Sequence, residues 1–183
     1  MCAESPAQDD AQDALPSDCR METLGIAFFD LSRMAEWSSS DEDLRIAAFL
    51  QEFYGLAAEH VGEAGGRIVK FMGDAGLAVF PVDRAEDSIF AVAELARRTR
   101  ECAREYGINV YLNTNVHVGP VLTGSFGPPG LDRFDVIGKA VNTAARLGRR
   151  GLTLSPQAFR CLSPEGRERF DKVKPPITYR LCS

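Results

Sequence analysis

The chain predicts an α+β fold of the ferredoxin-like or palm type, a β-sheet with helices packed on one face, extended by C-terminal α and β elements. Two long segments with helical periodicity, each followed by a pair of short β-rich apolar runs, set that expectation. Glycines at the breaks give the order β-α-β-β-α-β-β before the C-terminal pieces. At 183 residues the chain has the size of one domain and can bury roughly 70% of its unfolded surface. One core is expected, with no internal repeat and no second domain.

Residues 1–20 are rich in Asp, Ala, Gln, Pro and Ser, lack apolar periodicity, and read as a flexible acidic tail; a single domain is expected over 21–183. The run TLGIAFFD (23–30) is nearly continuously apolar and ends in an acid, as a buried strand does when its C-terminal end carries a functional group. Ser39 or Ser40 can cap the next helix, with Leu44, Ala47, Ala48, Leu56, Ala57 and Val61 near helical spacing before Gly65 and Gly66 stop it. RIVKF and AGLAVF, joined through Met72 and Gly73, read as a tight hairpin. A second helix spans AEDSIFAVAELARRTRECAREYG and ends at Gly107. NVYLNTNVHVG and VLTGSFG are expected as a strand pair linked at Gly119 and Pro120. In RFDVIGKAVNTAARL (133–147) a strand breaks at Gly138 into a helix, and a short strand GLTLS, a small helix PQAFRCL and a last strand ITYRLC complete the chain.

Composition excludes several classes. The chain is 45% hydrophobic and 26% charged, and no apolar run approaches the ~18 residues of a membrane span. The acidic N-terminus lacks the basic start and apolar centre of a secretory signal, so a cytoplasmic location with no membrane partner is expected. Five cysteines, odd in number and without a CxxC or Cys/His pairing, suggest neither a zinc site nor a disulfide framework. A net charge of −5 disfavours a nucleic-acid partner, so any phosphate site must be local.

Several polar residues stand at the predicted strand and turn ends. Singly, each is ordinary: Asp30 suits a strand end, Lys70 and Asp74 suit a solvated ion pair worth ~0 to 1 kcal/mol, and Asn142 and Arg146 share a helix face as many surface residues do. Together they are less ordinary. Asp30 and Asp74 lie at adjoining loop ends, where two carboxylates can converge on Mg²⁺ or Mn²⁺ shared with substrate phosphates. A metal pair at such a site activates an attacking oxygen and stabilises a leaving one. Arg146 can neutralise charge on a transferring phosphoryl group, Asn142 can orient a sugar, and Lys70 with Asp135 offers the donor and acceptor that reading a base edge requires. The residues point to metal-dependent phosphoryl transfer on a nucleotide.

With these residues in place, the chain resembles the catalytic domain of the class III adenylate and guanylate cyclases over roughly residues 22–182. The matching segments, in order, are GIAFFDL, GGRIVKFMGDAGLAVF and VHVGPVLTGSFGPPGLDRFDVIGKAVNTAARL, the last following the family's VNxAARL pattern. The resemblance implies that Asp30 and Asp74 bind two Mg²⁺ or Mn²⁺ ions, with the backbone carbonyl of Leu31 as a further ligand. It implies that Lys70 and Asp135 contact the base, Asn142 positions the ribose, and Arg146 stabilises the α-phosphate. It also implies a homodimer whose sites take the metal acids from one chain and the other groups from its partner. A Lys donor with an Asp acceptor suits adenine, which makes ATP the expected substrate and cyclic AMP the product. Relatives acting on guanine or pyrimidine nucleotides, some of them stand-alone antiviral signalling enzymes, keep those bases as alternatives. A cyclase-like module that binds nucleotide without turnover is a reading from another class, against which stands the presence of all six expected side chains.

One position departs from the family, which usually places a glycine where this chain has Arg33. If the turn needs φ > 0, a non-glycine residue there is strained by ~1 kcal/mol or more. Alternatively, the Arg33 guanidinium itself reaches the β- or γ-phosphate. His60 and His117 lack partner acids at ligand spacing and read as structural, and Trp37 suits a loop anchor or a ligand contact equally. GSFGPPG lacks the Lys-Ser/Thr of a P-loop and reads as a hairpin loop near the dimer interface.

Overall fold

A computed structural model describes residues 15–34, 43–148, 150–173 and 176–182. In chain order the elements are β1 (Arg20–Leu31), α1 (Asp43–Glu63), β2 (Arg67–Met72), β3 (Ala75–Pro81), α2 (Ala85–Glu105), β4 (Leu112–Phe126), β5 (Arg133–Ile137), α3 (Lys139–Arg146), β6 (Leu152–Leu154), α4 (Pro156–Arg160), α5 (Pro164–Arg167), β7 (Phe170–Val173) and β8 (Thr178–Leu181). The strands form one sheet in the order β2-β3-β1-β4-β6-β8-β7, with β5 paired to β4. This is the α+β architecture that the sequence predicts.

β1 explains why both sheet faces are covered. Its Ala27, Phe29 and Leu31 join one core cluster with Phe49, Phe53 and Ala57 of α1 and Ile89, Val92 and Leu95 of α2. Its Ile26 points the other way, into a second cluster with Leu77 and Val79 of β3 and Ala140 and Ala144 of α3. A strand buried on both sides reads as a continuous apolar run, which accounts for TLGIAFFD. The two long helices therefore share one face as expected, but α3 packs on the opposite one.

Three local expectations are corrected. The buried stripe of α1 is Phe49, Phe53, Ala57 and Val61, while Leu44 is 89% exposed and Ala47 and Ala48 also face outward. Burying aromatic rings removes more apolar surface than burying alanines, so the phenylalanine ladder sets the helix rotation. The expected caps Ser39 and Ser40, together with Trp37, lie outside the described residues. β4 is a single strand that runs through Gly119 and Pro120, because residues 117–121 have β1 on one side and no strand on the other. Pro120 can therefore lack its N–H without leaving a neighbouring acceptor unmatched. Finally, α5 and β7 were not anticipated, although Ser163 followed by Pro164 is a cap-and-N1 signal, and the Ser163 hydroxyl accepts from the Gly166 N–H.

Residues 15–19, assigned by composition to the tail, include a segment held against β4. Asp18 accepts from the Ser125 N–H (3.1 Å) and hydroxyl (2.7 Å), bonds that hold its carboxyl below its ordinary range.

Candidate active site

The two acids are adjacent because of how β1 meets the β2–β3 hairpin. Asp30 is the cross-strand partner of Ala75, and Asp74 occupies the turn just before it. The Leu31 N–H donates to the Asp74 carbonyl at 2.9 Å, which ties the turn to the end of β1. From α1, the Tyr54 hydroxyl donates to the Gly73 carbonyl at 2.7 Å, and its ring stacks on Phe71 with centroids 4.2 Å apart. Two carboxylates beside the main chain of Leu31 form an all-oxygen donor set, which fits a hard divalent cation. Among the described residues no three or more His, Cys, Asp or Glu side chains cluster as metal ligands, so such a cation needs substrate or water oxygens to complete its shell.

Lys70 meets Asp135 through a one-residue irregularity. Ile68 pairs with Ala78 and Lys70 with Leu77, leaving Val69 as an extra residue in β2. Without that bulge Lys70 would share the face of Ala78 and Phe80, against the long helices; with it, Lys70 falls on the face of Leu77 and Val79. There Lys70 Nζ donates to Asp135 Oδ2 at 2.5 Å, and Asp135 Oδ1 accepts from the Val136 N–H at 2.8 Å. Lys70 is therefore paired with Asp135 and not with Asp74 across the hairpin turn. Phe71, Phe126, Leu131 and Phe134 border a cavity of about 360 Å³ around the pair.

Asn142 and Arg146 lie together in a different space. Gly138, at φ 157° and ψ 170°, adopts a conformation essentially reserved for glycine and turns β5 into α3. On α3, Lys139, Asn142, Thr143 and Arg146 follow at i, i+3, i+4 and i+7 and line one wall of a cavity of about 770 Å³. His117 and Gln157 also line it, and among the described residues no acid does. Asn142 and Arg146 are exposed. His117 is buried, which pushes its imidazole below the usual histidine range, and its Nδ1 lies 2.9 Å from the Ser155 hydroxyl. His60, by contrast, bonds to the Leu56 carbonyl within α1 at 2.9 Å.

The structure brings Asp30 to Asp74, Lys70 to Asp135, and Asn142 to Arg146, but it does not join these three pairs. Neither Asp30 nor Asp74 borders either cavity. Arg33 has φ +68°, the left-handed conformation expected of a glycine position, and among the described residues no other non-glycine residue has positive φ. Lys139, Thr143 and Gln157 were not singled out from sequence. Helical spacing from Asn142 marks Lys139 and helical spacing from Arg146 marks Thr143, whereas nothing local marks Gln157.

A sequence model described as the adenylate and guanylate cyclase catalytic domain matches residues 17–175. The chain belongs to this family. It is 27% identical over 138 residues to an adenylate cyclase of Anabaena cylindrica, covering 71% of this chain and 27% of that protein. It is 29% identical over 162 residues to the uncharacterized protein Rv1318c of Mycobacterium tuberculosis, covering 80% of this chain and 28% of that protein. The chain thus spans under a third of the length of these relatives. Among solved structures, the guanylyl cyclase Cya2 superposes with a TM-score of 0.78 at 19% identity, over 90% of this chain and 93% of that one. That likeness shows the shared fold. No helix among the described residues is long and apolar enough to cross a membrane.

Proposed function

We propose that the chain converts ATP to 3′,5′-cyclic AMP and pyrophosphate, at sites completed by a second copy of itself. The observation that carries this reading is the α3 cavity. Asn142 and Arg146 border one cavity that no acid lines among the described residues, while Asp30 and Asp74 stand together elsewhere in the same chain. A second protomer bringing its two acids to that cavity would supply what the first lacks.

In this reading Asp30, Asp74 and the Leu31 carbonyl hold two Mg²⁺ or Mn²⁺ ions, which supply charge neutralisation and an acidified 3′-hydroxyl when bound. Asn142 orients the ribose so that its 3′-oxygen faces the α-phosphorus. The 3′-O–P bond forms, the bond to the pyrophosphate oxygen breaks, and the hydroxyl proton leaves to solvent. Arg146 stabilises the charge on the five-coordinate phosphorus. Proximity contributes much of the acceleration, since nucleophile and electrophile belong to one molecule. Lys70 and Asp135 read the base, donating to a ring nitrogen of adenine and accepting from its amine. Arg33 directs its guanidinium to the β- or γ-phosphate.

Incubating the purified protein with Mn²⁺ and each of the four nucleoside triphosphates separately, followed by mass spectrometry, tests activity and base together. Cyclic AMP as the main product is the expected result. Another cyclic nucleotide would reassign the base, and no cyclic product at all would leave a nucleotide-binding module without turnover.

A further inference from the structure

His117 stands on β4 opposite Ile26 of β1, on the sheet face that α3 covers. It is 7% exposed, and its Nδ1 lies 2.9 Å from the Ser155 hydroxyl. That hydroxyl oxygen already accepts from the Ala158 N–H at 3.2 Å, as the N-cap of α4. With the Ser155 proton bridging to the ring, Nδ1 accepts and Nε2 carries the imidazole proton, which is the tautomer the proposal below requires. Nε2 has no hydrogen-bond partner among the described residues, and the ring borders the cavity that Asn142 and Arg146 line. Gly119 makes room for this placement, because a Cβ there would lie 2.9 Å from Nε2 and 3.0 Å from the Ala140 Cβ. In that tautomer an N–H donor stands on the wall of a cavity that, among the described residues, has two cations and no acid. An N–H without a protein acceptor on that wall can donate to a ligand oxygen that enters the cavity.

Resting on the cyclase reading above, we propose that His117 donates its Nε2–H to an oxygen of the sugar–phosphate portion of the bound nucleotide, and that Ser155 is a positioning residue that fixes the ring tautomer. Among the described residues, Lys139 and Arg146 of α3 are the charged groups that border the same cavity, and β1, β4 and α4 contribute none there. Protonating the ring at Nδ1 displaces the Ser155 proton and disturbs the alignment.

Full-length wild type and the variants His117→Phe and His117→Gln are compared for kcat and KM with Mn²⁺ and ATP from pH 5 to 8. Binding of 3′-deoxy-ATP, which cannot cyclise, is measured by calorimetry, and melting temperature reports folding. His117→Phe should lower kcat/KM and 3′-deoxy-ATP affinity about ten-fold or more while remaining folded. His117→Gln, which keeps an N–H donor, should lose much less and should lack the acidic fall in kcat/KM that wild type shows. A loss concentrated in KM assigns the contact to the ribose, and one concentrated in kcat assigns it to the α-phosphate. A folded His117→Phe with unchanged affinity and turnover overturns the proposal, as does an acid limb that persists in His117→Gln. A wild type that binds 3′-deoxy-ATP but forms no cyclic product overturns the cyclase reading instead, with the affinity comparison still deciding the role of His117.

Discussion

The two regions proposed to face the nucleotide are built on opposite principles. Around Lys70 and Asp135 the charges already satisfy each other, with one carboxylate oxygen on the lysine and the other on a backbone N–H. Around α3, among the described residues, no acid lines the cavity that Lys139 and Arg146 border, and His117 Nε2 has no acceptor. A ligand must compete with an existing ion pair at the first region, so binding there is a difference between similar terms and serves discrimination. At the second region a ligand supplies what is missing, which favours affinity and transition-state stabilisation.

The largest expected effect tests whether the acids and the α3 cavity belong to one shared site. Asp30→Ala and Arg146→Ala should each lower kcat by more than about 100-fold. Mixing the two should recover part of the activity, since one site of the mixed dimer retains both sets of groups. Mixed dimers seen by native mass spectrometry without activity would break the shared-site account. Next in size, Asp135→Asn should lower kcat/KM for ATP by about 10- to 100-fold and narrow the ratio of ATP to GTP turnover. Arg146→Lys should depress both nucleotides alike, and a shift in base preference from that variant would erase the contrast between the regions. A smaller, several-fold loss of nucleotide affinity is expected on raising salt from about 0.05 to 0.5 M, because the α3 cations are exposed to screening. The ATP-to-GTP ratio should hold constant in the same titration. Smallest is the backbone strain at Arg33. Arg33→Gly should be more stable than Arg33→Ala by about 1 kcal/mol, or some 2–4 °C in Tm. Both variants remove the guanidinium, so equal melting temperatures would show that φ +68° stores no strain.

Much of the fold was legible because its signals are local. The strand-to-helix break at Gly138, the hairpin at Gly73 and the acid closing β1 each follow from residue types within a few positions. The positive φ at Arg33 was likewise implied by a single departure from a glycine position. What sequence misread depends on competition between distant groups. Leu44, Ala47 and Ala48 have acceptable helical spacing, but Phe49 and Phe53 fill the space beneath the sheet better. Gly119 and Pro120 look like a turn until β1 is seen to pair with both residues. The Lys70–Asp74 pair was plausible by proximity in the chain, whereas Lys70 and Asp135, grouped from sequence only by their chemistry, are separated by 65 positions and form their ion pair through the fold.

By itself the sequence determined which chemical groups are present, the order in which they come, and the family to which that order belongs, since these depend on covalent neighbours and short-range periodicity. Only the tertiary structure decided which groups meet. One extra residue at Val69 moves Lys70 to the other face of the sheet, because strand side chains alternate with a period of two. The second apolar face of β1 draws α3 to the side opposite the long helices. That packing places His117, which has no partner in sequence, at the wall of the cavity that Asn142 and Arg146 share.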